Sequence, residues 1–207
     1  WPGLPYYNEL FHITKNLPAS IEFLSTLIDS GCKNIIVSGT CYEYGIQNGE
    51  MLESQPTRPC NFYAIAKDSL RSVLELACRN SEARLVWARI FYAYGKGQNP
   101  NSLYPSLLSS LKERKNSFPM SSGKQIRDFI SASDTAKQLL FLALNPVAQG
   151  IYNCGSGKPQ TIYEFVRDIV DSHGSHIEIN RGFYSDRGDE PLAFWANMDK
   201  LNSLACK

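Results

Sequence analysis

A tyrosine and a lysine stand four residues apart in the segment NFYAIAKDSL, at Tyr63 and Lys67. On a helix, side chains at this spacing lie one turn apart on the same face, with Cβ atoms about 5–6 Å apart. A phenol beside an ammonium group can transfer a proton, but a surface pair without function has the same spacing. The motif alone favours the surface pair, so the choice depends on the neighbouring segments.

The elements around this pair alternate between helix and strand. Apolar residues recur at three and four residues in a predicted helix that begins at Pro18 and ends at Gly31. NIIVSGT, residues 34–40, is an apolar run without polar alternation, which is typical of a buried parallel strand. A second helix is predicted from Tyr63 to Arg79, and residues 83–95, ARLVWARIFYAYG, are predicted to form one strand. This alternation predicts the α/β class, with a doubly wound parallel sheet.

The second half of the chain contains shorter elements. KGQNPNSLYPSLLSSLKERKN predicts a loop and a helix, and SFPMSSGKQIRDFI predicts a short extended segment. SDTAKQLLFLALN predicts a helix with Ser133 as its N-cap, and GIYNCGSG predicts a strand that ends in a glycine turn. TIYEFVRDIVDSHG predicts a helix that starts with a capping box between Thr161 and Glu164.

Thr40 ends the predicted strand NIIVSGT, 23 residues before Tyr63. Ligands of open α/β sheets bind outside the carboxyl ends of the strands, so a hydroxyl at this position is well placed for chemistry. Three segments therefore stand out together: SGTCYEYG at 38–45, YAIAK at 63–67 and ARIFYAYG at 88–95.

Together these segments resemble the extended short-chain dehydrogenase/reductase family, the NAD-dependent nucleotide-sugar epimerases, dehydratases and ketoreductases. Thr40 falls at the family's catalytic Ser/Thr, and Tyr63 and Lys67 match its catalytic Tyr-x-x-x-Lys. GKQIRDFISASD is similar to the family's RDF stretch, IYNCGSG to its glycine turn, and RGDEPLAFWANMDKL to a C-terminal segment near the nucleotide sugar. The resemblance covers essentially the whole chain.

The resemblance implies a Rossmann-like fold with two parts and a set of site residues. Residues 1–95 plus 128–157 would form a partial dinucleotide-binding domain, and residues 96–127 plus 158–207 a smaller α+β part for the nucleotide sugar. The implied catalytic residues are Thr40, Tyr63 and Lys67. The implied contacts of the cofactor, NAD or NADP, are Ser38, Tyr63, Lys67, Ile90 and Phe91. The implied substrate contacts are Thr40, Tyr92, Ser102, Arg127, Arg187 and Glu190.

The implied chemistry is hydride transfer at C4 of the sugar, with Tyr63 as the acid/base. An unperturbed tyrosine has a pKa of about 10, so a base near pH 7 needs a fall of about three units, or about 4 kcal/mol. Lys67 and a cationic nicotinamide ring would both favour the phenolate. Thr40 is expected to hold the reacting oxygen within about 3 Å of the tyrosine oxygen.

Two interpretations stay open for each arginine of the implied substrate site. Arg127 either forms an ion pair with Asp128 or Asp134, or clamps a phosphate, which its planar guanidinium suits. Arg187 has acidic neighbours of its own, so the same alternative applies to it.

The chain departs from the family pattern in two places. The glycine-rich fingerprint G-x-x-G-x-x-G is absent, and the first predicted strand resembles the family's fifth, so the earlier βα units are expected to be missing. Such a truncation would expose a strand edge and an apolar face, which predicts poor activity and dimers or aggregates. Cys41 and Tyr42 stand where 4,6-dehydratases carry an Asp-Glu pair, which disfavours dehydration. Tyr92 replaces the usual Asn of sugar epimerases and hints at a deoxysugar substrate.

Composition argues against several other classes of function. A net charge of +1 gives no electrostatic footprint for nucleic acid or an anionic membrane. No apolar run approaches the roughly 18–20 residues of a membrane span. Six cysteines without a CxxC pair predict reduced thiols in a cytoplasmic protein. No metal site is predicted, because His173 and His176 are better explained by a polar glycine turn.

The leading hypothesis is an NAD(P)-dependent oxidoreductase or epimerase for a nucleotide-activated sugar, with a deoxysugar 4-ketoreductase as its suggested form. A nucleotide-sugar 4-epimerase is the alternative, because it needs the same three catalytic residues. A hypothesis of another class is an inactive truncated fragment that serves as a binding or structural remnant. The resemblance further implies a homodimer through the helices near 18–30 and 63–79.

Overall fold

The computed structural model describes residues 6–188 and 190–204. The α-helices are α1 (Leu17–Asp29), α2 (Phe62–Arg79), α3 (Leu103–Lys112), α4 (Ala132–Leu144), α5 (Ile162–Ser172) and α6 (Asp199–Ser203). The strands are β1 (Asn34–Thr40), β2 (Gly49–Met51), β3 (Arg84–Ile90), β4 (Tyr92–Tyr94), β5 (Ser117–Pro119), β6 (Ile126–Ser131), β7 (Gly150–Cys154), β8 (Pro159–Thr161), β9 (Glu178–Asn180) and β10 (Ala193–Ala196). A π-helical turn, His12–Asn16, leads into α1, and a 3-10 turn, Cys41–Tyr44, follows β1.

The main sheet consists of three parallel strands in the order β1–β3–β7. Thr40 pairs with Ile90, which pairs with Cys154, so the three carboxyl ends lie level with one another. Helices α1 and α2 cover one face through apolar side chains such as Leu70 and Leu74, whereas α4 and α6 cover the other. Because both faces are buried, most residues of these strands are apolar. The predicted Rossmann-like α/β class is confirmed.

The prediction of a single strand over residues 83–95 is wrong. This segment forms β3 in the main sheet and β4 in a second sheet, which has the order β2–β10–β6–β4 with β8 beside β6. The chain changes sheets at Phe91, whose N–H donates to Cys154 O at 2.9 Å. The Phe91 ring stacks on Phe194 of β10, with centroids 5.4 Å apart. This aromatic contact fills the space between the two sheets.

Local signals located most helix starts. The Thr161–Glu164 capping box is present at the start of α5, as predicted. The predicted N-cap of α4 is wrong, because Ser131 takes this place and its Oγ accepts Asp134 N at 3.0 Å. Asn61 caps α2 by accepting the N–H of Ala64.

Several sequence predictions are not tested by the fold. The division into 1–95 plus 128–157 and 96–127 plus 158–207 stays a prediction, and so does a dimer through the helices near 18–30 and 63–79. Five cysteines are free thiols, and Cys206 lies outside the described residues. In the part of the chain that the structure describes, no helix is long and apolar enough to cross a membrane. Within the same ranges, no group of His, Cys, Asp and Glu side chains is placed to hold a metal ion.

Candidate active site

A cavity of about 460 Å³ lies at the carboxyl ends of β1 and β3. It brings together seven of the predicted site residues: Ser38, Thr40, Tyr63, Ile90, Phe91, Tyr92 and Ser102. Lys67 lines a smaller cavity on the other side of Tyr63. Glu190 lines a third cavity, of about 160 Å³, which shares Tyr92 with the large one. All predicted site residues except Arg127 and Arg187 thus line three adjoining cavities at one edge of the main sheet.

Tyr63 lies in the first turn of α2, and its side chain faces the cavity. Burial raises the pKa of Tyr63 to about 12, and the nearby Cys41 adds to the increase, whereas a hydrogen bond with Thr40 opposes it. The surrounding residues of the chain therefore do not lower the pKa of Tyr63 as the sequence predicted. The phenol therefore stays protonated at neutral pH, the form that can donate a proton.

Lys67 forms no hydrogen bond with the Tyr63 hydroxyl, and it does not lower the pKa of Tyr63. Its Nζ donates a hydrogen bond to Ser38 O at 2.9 Å, and lies 5.9 Å from the centroid of the Tyr63 ring. Burial lowers the pKa of Lys67. The lysine joins α2 to β1 and leaves two of its three ammonium protons for other acceptors.

Thr40 is held by a capping box at the start of the 3-10 turn. Its Oγ1 accepts the N–H of Tyr42 at 3.3 Å, and its own N–H donates to Glu43 Oε1 at 2.8 Å. Thr40 also lines the large cavity together with Tyr63, and its hydroxyl still has a proton to donate.

Cys41 and Tyr42, which replace the Asp-Glu pair of dehydratases, separate the large cavity from the 160 Å³ cavity. Burial raises the pKa of the Cys41 thiol and that of the Tyr42 phenol far above their usual ranges. Both groups are therefore neutral near pH 7, and neither supplies a base. The Tyr42 ring packs edge-on against Tyr92, with centroids 6.1 Å apart.

Arg127 forms an ion pair with neither Asp128 nor Asp134, the two partners considered from the sequence. Its Nη2 donates to Glu190 Oε2 at 3.0 Å, and its guanidinium lies over the Tyr92 ring, 5.3 Å from the centroid. Asp128 instead accepts backbone N–H groups from two other segments, those of Ser156, Gly157 and Ala196. Asp134 pairs with Lys137. Sequence spacing could not reveal Glu190 as the partner, because 63 residues separate the two.

Arg187 extends the same network toward solvent. Its Nη1 donates to Glu190 Oε1 at 3.2 Å and to the Tyr7 hydroxyl at 3.0 Å. Two guanidinium groups therefore share one carboxylate beside the 160 Å³ cavity, and one positive charge is left over. A bound phosphate would have to compete with Glu190 for both arginines.

Three buried polar residues near the site were not predicted from the sequence. Glu43 and Arg89 form an ion pair beneath Thr40, with Arg89 Nε 2.8 Å from Glu43 Oε2. His12 contacts the Tyr63 ring edge-on at 5.3 Å and forms hydrogen bonds with Asn16 and Tyr6. A local signal for Glu43 was present, because Thr40-x-x-Glu43 has the spacing of a capping box.

The cavity suits the nicotinamide end of NAD. Ile90 and Phe91 supply an apolar wall, and the Ser38 carbonyl, the Tyr63 hydroxyl and the Lys67 ammonium supply polar groups beside it. Ring and ribose of a nicotinamide nucleoside need this combination of an apolar surface and hydroxyl-binding groups. The residues present therefore fit this part of the cofactor.

The chain is similar to known proteins over most of its length. The model of a family described as "NAD dependent epimerase/dehydratase family" matches residues 7–155. A dTDP-6-deoxy-L-talose 4-dehydrogenase (NAD(+)) of Aggregatibacter actinomycetemcomitans is 30% identical over 181 residues, which cover 87% of this chain and 67% of that protein. UDP-arabinose 4-epimerase 1 of Arabidopsis thaliana is 26% identical over 86% of this chain and 46% of its own length.

Solved structures show the same similarity. A UDP-N-acetylglucosamine 4-epimerase from Methanobrevibacter ruminantium M1, in complex with UDP-N-acetylmuramic acid, has a TM-score of 0.84 and 26% identity. The match covers 94% of this chain and 63% of that one. The chain therefore spans between about half and two-thirds of the length of these relatives.

Proposed function

The chain belongs to the NAD dependent epimerase/dehydratase family, and from this premise we propose that it is an NAD-dependent oxidoreductase of nucleotide-activated sugars. The observation that supports the proposal most is the placement of Thr40 and Tyr63 on one cavity at the carboxyl ends of β1 and β3. Open α/β sheets bind their ligands at such ends. The proposed reaction is hydride transfer at C4 of the sugar.

In the proposed mechanism, bound NAD supplies the acceptor or donor of the hydride. Tyr63 transfers a proton to or from the C4 oxygen. Because burial raises the pKa of Tyr63 to about 12, donation to a carbonyl oxygen is the easier direction for these residues at neutral pH. Thr40 donates a second hydrogen bond to the same oxygen. Lys67, anchored on Ser38, would donate a hydrogen bond to a hydroxyl of the nicotinamide ribose, and Ile90 and Phe91 would hold the nicotinamide ring.

A deoxysugar 4-ketoreductase is the favoured form of this activity. The protonated state of Tyr63 at neutral pH matches the reduction of a keto sugar, which needs a proton donor, and one relative is named a 6-deoxysugar 4-dehydrogenase. Tyr42 and Tyr92 line the cavity with aromatic surface, which suits an apolar methyl group better than a hydroxymethyl group. A 4-epimerase is the second candidate, because the structure with a TM-score of 0.84 carries that name.

The other proposed contacts concern the nucleotide and the assembly. Arg127 and Arg187 bind the diphosphate, which replaces Glu190 as their ion-pair partner. Ser102, at the start of α3, contacts the substrate. A homodimer through α1 and α2 and a cytoplasmic location belong to the same proposal.

Substitution of Tyr63 by Phe tests the function. The purified chain is mixed with NADH and nucleotide-linked 4-keto sugars, and NADH absorbance and products are followed. Stoichiometric loss of NADH indicates a reductase, whereas turnover of a nucleotide sugar with catalytic NAD indicates an epimerase. Tyr63→Phe should lower kcat by about 10²–10⁴-fold, the usual contribution of a general acid. Tyr184→Phe, at an exposed tyrosine outside the cavity, is the matched control. Equal rates for both variants would contradict the proposal.

A further inference from the structure

Glu43 is a buried carboxylate directly behind Thr40, and the mechanism above does not use it. None of its side chain is exposed, and its charged partner Arg89 is 1% exposed. The carboxylate accepts the N–H of Thr40 at 2.8 Å, Arg89 Nε at 2.8 Å and Trp87 Nε1 at 3.0 Å. One backbone donor and two side-chain donors therefore meet at one carboxylate, next to the predicted catalytic hydroxyl.

Glu43 is ionised in this setting. Burial raises its pKa, while the guanidinium of Arg89 and the N–H donors oppose the increase. Every hydrogen-bonding partner named above donates a proton, so a neutral carboxyl group would place its own O–H against donors. Only the carboxylate satisfies all of these contacts, and burying it without them would be costly.

The end of β1 is shaped to admit this carboxylate. A Cβ atom at Gly39 would collide with Trp87 Nε1 and would lie 2.6 Å from Glu43 Oε1. Gly39 also pairs in register with Arg89 on β3. The residue before Thr40 therefore has to be glycine for Glu43, Trp87 and Arg89 to occupy their positions.

We propose that Glu43 is a positioning residue for Thr40, and this inference rests on the proposed function. Glu43 holds the N–H of Thr40 from behind, while Thr40 Oγ1 accepts the N–H of Tyr42 in front. The two bonds fix the start of the 3-10 turn and aim the Thr40 hydroxyl proton at the sugar oxygen. Without the carboxylate, the hydroxyl would lose its fixed direction although it would still be present.

A double-mutant cycle between Glu43→Gln and Thr40→Val tests the inference. Gln has the shape of Glu but presents an NH₂ group to donors, and Val has the shape of Thr without the hydroxyl. Glu43→Gln should lower kcat at least about tenfold with little change in KM, because the loss concerns the transition state. In the Thr40→Val background the same change should lower kcat by less than about twofold, because residues that act as one unit are not additive.

Glu164→Gln supplies a matched control from the same chain. Glu164 forms an equivalent capping box with Thr161, but it is exposed and lies outside the cavity. This variant should weaken its helix start and leave kcat within about twofold. Where Glu43→Gln fails to fold, Glu43→Asp, which keeps the charge, takes its place in the cycle.

Two results would overturn the inference. One is an equal loss of kcat from Glu43→Gln in the wild-type background and in the Thr40→Val background, which would mean that Glu43 supports the fold in general. The other is an unchanged hydrogen-exchange rate at the Thr40 amide in Glu43→Gln, where an increase of at least about tenfold is expected from the lost hydrogen bond. If the wild-type chain turns over no nucleotide sugar, the proposed function fails, and amide exchange alone decides whether Glu43 holds Thr40.

Discussion

Two ion-pair networks flank the candidate active site, and they differ in their access to solvent. The Glu43–Arg89 pair is closed, since its side chains are 0% and 1% exposed. In the network of Arg127, Glu190 and Arg187, exposure rises from 2% through 29% to 66%. The first network has no opening for a ligand, whereas the second extends from the interior to the surface beside the 160 Å³ cavity.

This difference separates a fixed network from an exchangeable one. Removing one partner of a fully buried pair leaves an unpaired charge in the interior, so the loss of a single partner is costly. In the second network the pair between Arg187 and Glu190 is screened by solvent and contributes little, so a ligand anion can replace the carboxylate there at small cost. The buried network thus suits the positioning of Thr40, and the partly exposed network suits a diphosphate that binds and dissociates.

The largest expected effect is the difference in the free energy of unfolding between Arg89→Met and Arg187→Met. Arg89→Met leaves Glu43 buried and unpaired, so the free energy of unfolding should fall by about 3–5 kcal/mol. Arg187→Met removes a mostly exposed partner of Glu190 and should cost about 0–1 kcal/mol. Urea unfolding followed by tryptophan fluorescence measures both. Similar losses for the two variants would remove the distinction between the networks.

Trp87→Phe should have an intermediate effect. It removes the indole N–H that donates to Glu43, but Thr40 N and Arg89 remain as donors. A hydrogen bond to a charged group contributes about 1.5–3 kcal/mol, so the free energy of unfolding should fall by about that amount. Trp195→Phe on β10 controls for the loss of an indole ring. A loss no larger than that of the control would mean that the indole N–H adds nothing to the buried network.

The smallest effect is expected at Glu190. Glu190→Gln frees Arg127 and Arg187 from their shared carboxylate, so the affinity for a nucleoside diphosphate should rise by about three- to tenfold. Isothermal titration with dTDP and UDP measures this change, and Glu50→Gln, at an exposed glutamate of β2, is the control. A weaker affinity would instead indicate that Glu190 itself contacts the nucleotide.

Much of the main sheet could be predicted from the sequence, because apolar periodicity reports burial directly. β1, α1 and α2 follow it closely. The switch between sheets at Phe91 could not be predicted, since its cause is a ring of β10 about a hundred residues away. The N-cap of α4 was misplaced for a different reason: Ser131 and Ser133 both suit a cap, and only the backbone turn decides between them.

The candidate site shows the same limit at closer range. Thr40, Tyr63 and Lys67 have fixed spacings that a sequence displays. The partners of Arg127 and the direction of the Lys67 ammonium depend on which distant segments meet, and no spacing encodes that. Glu43 lies between these cases, because its capping-box spacing with Thr40 is local, whereas its bonds to Trp87 and Arg89 arise only in the folded sheet.

The tight fit at Gly39 restricts which substitutions the residues around it can accept during evolution. A side chain at this position would collide with both Glu43 and Trp87, so the glycine can be replaced in evolution only after both of these side chains have changed or moved. Loss of Glu43 in turn would leave the buried guanidinium of Arg89 without its counter-ion. Gly39, Glu43, Trp87 and Arg89 should therefore be inherited and lost as a set, and an alignment of homologues should display these four columns as covarying.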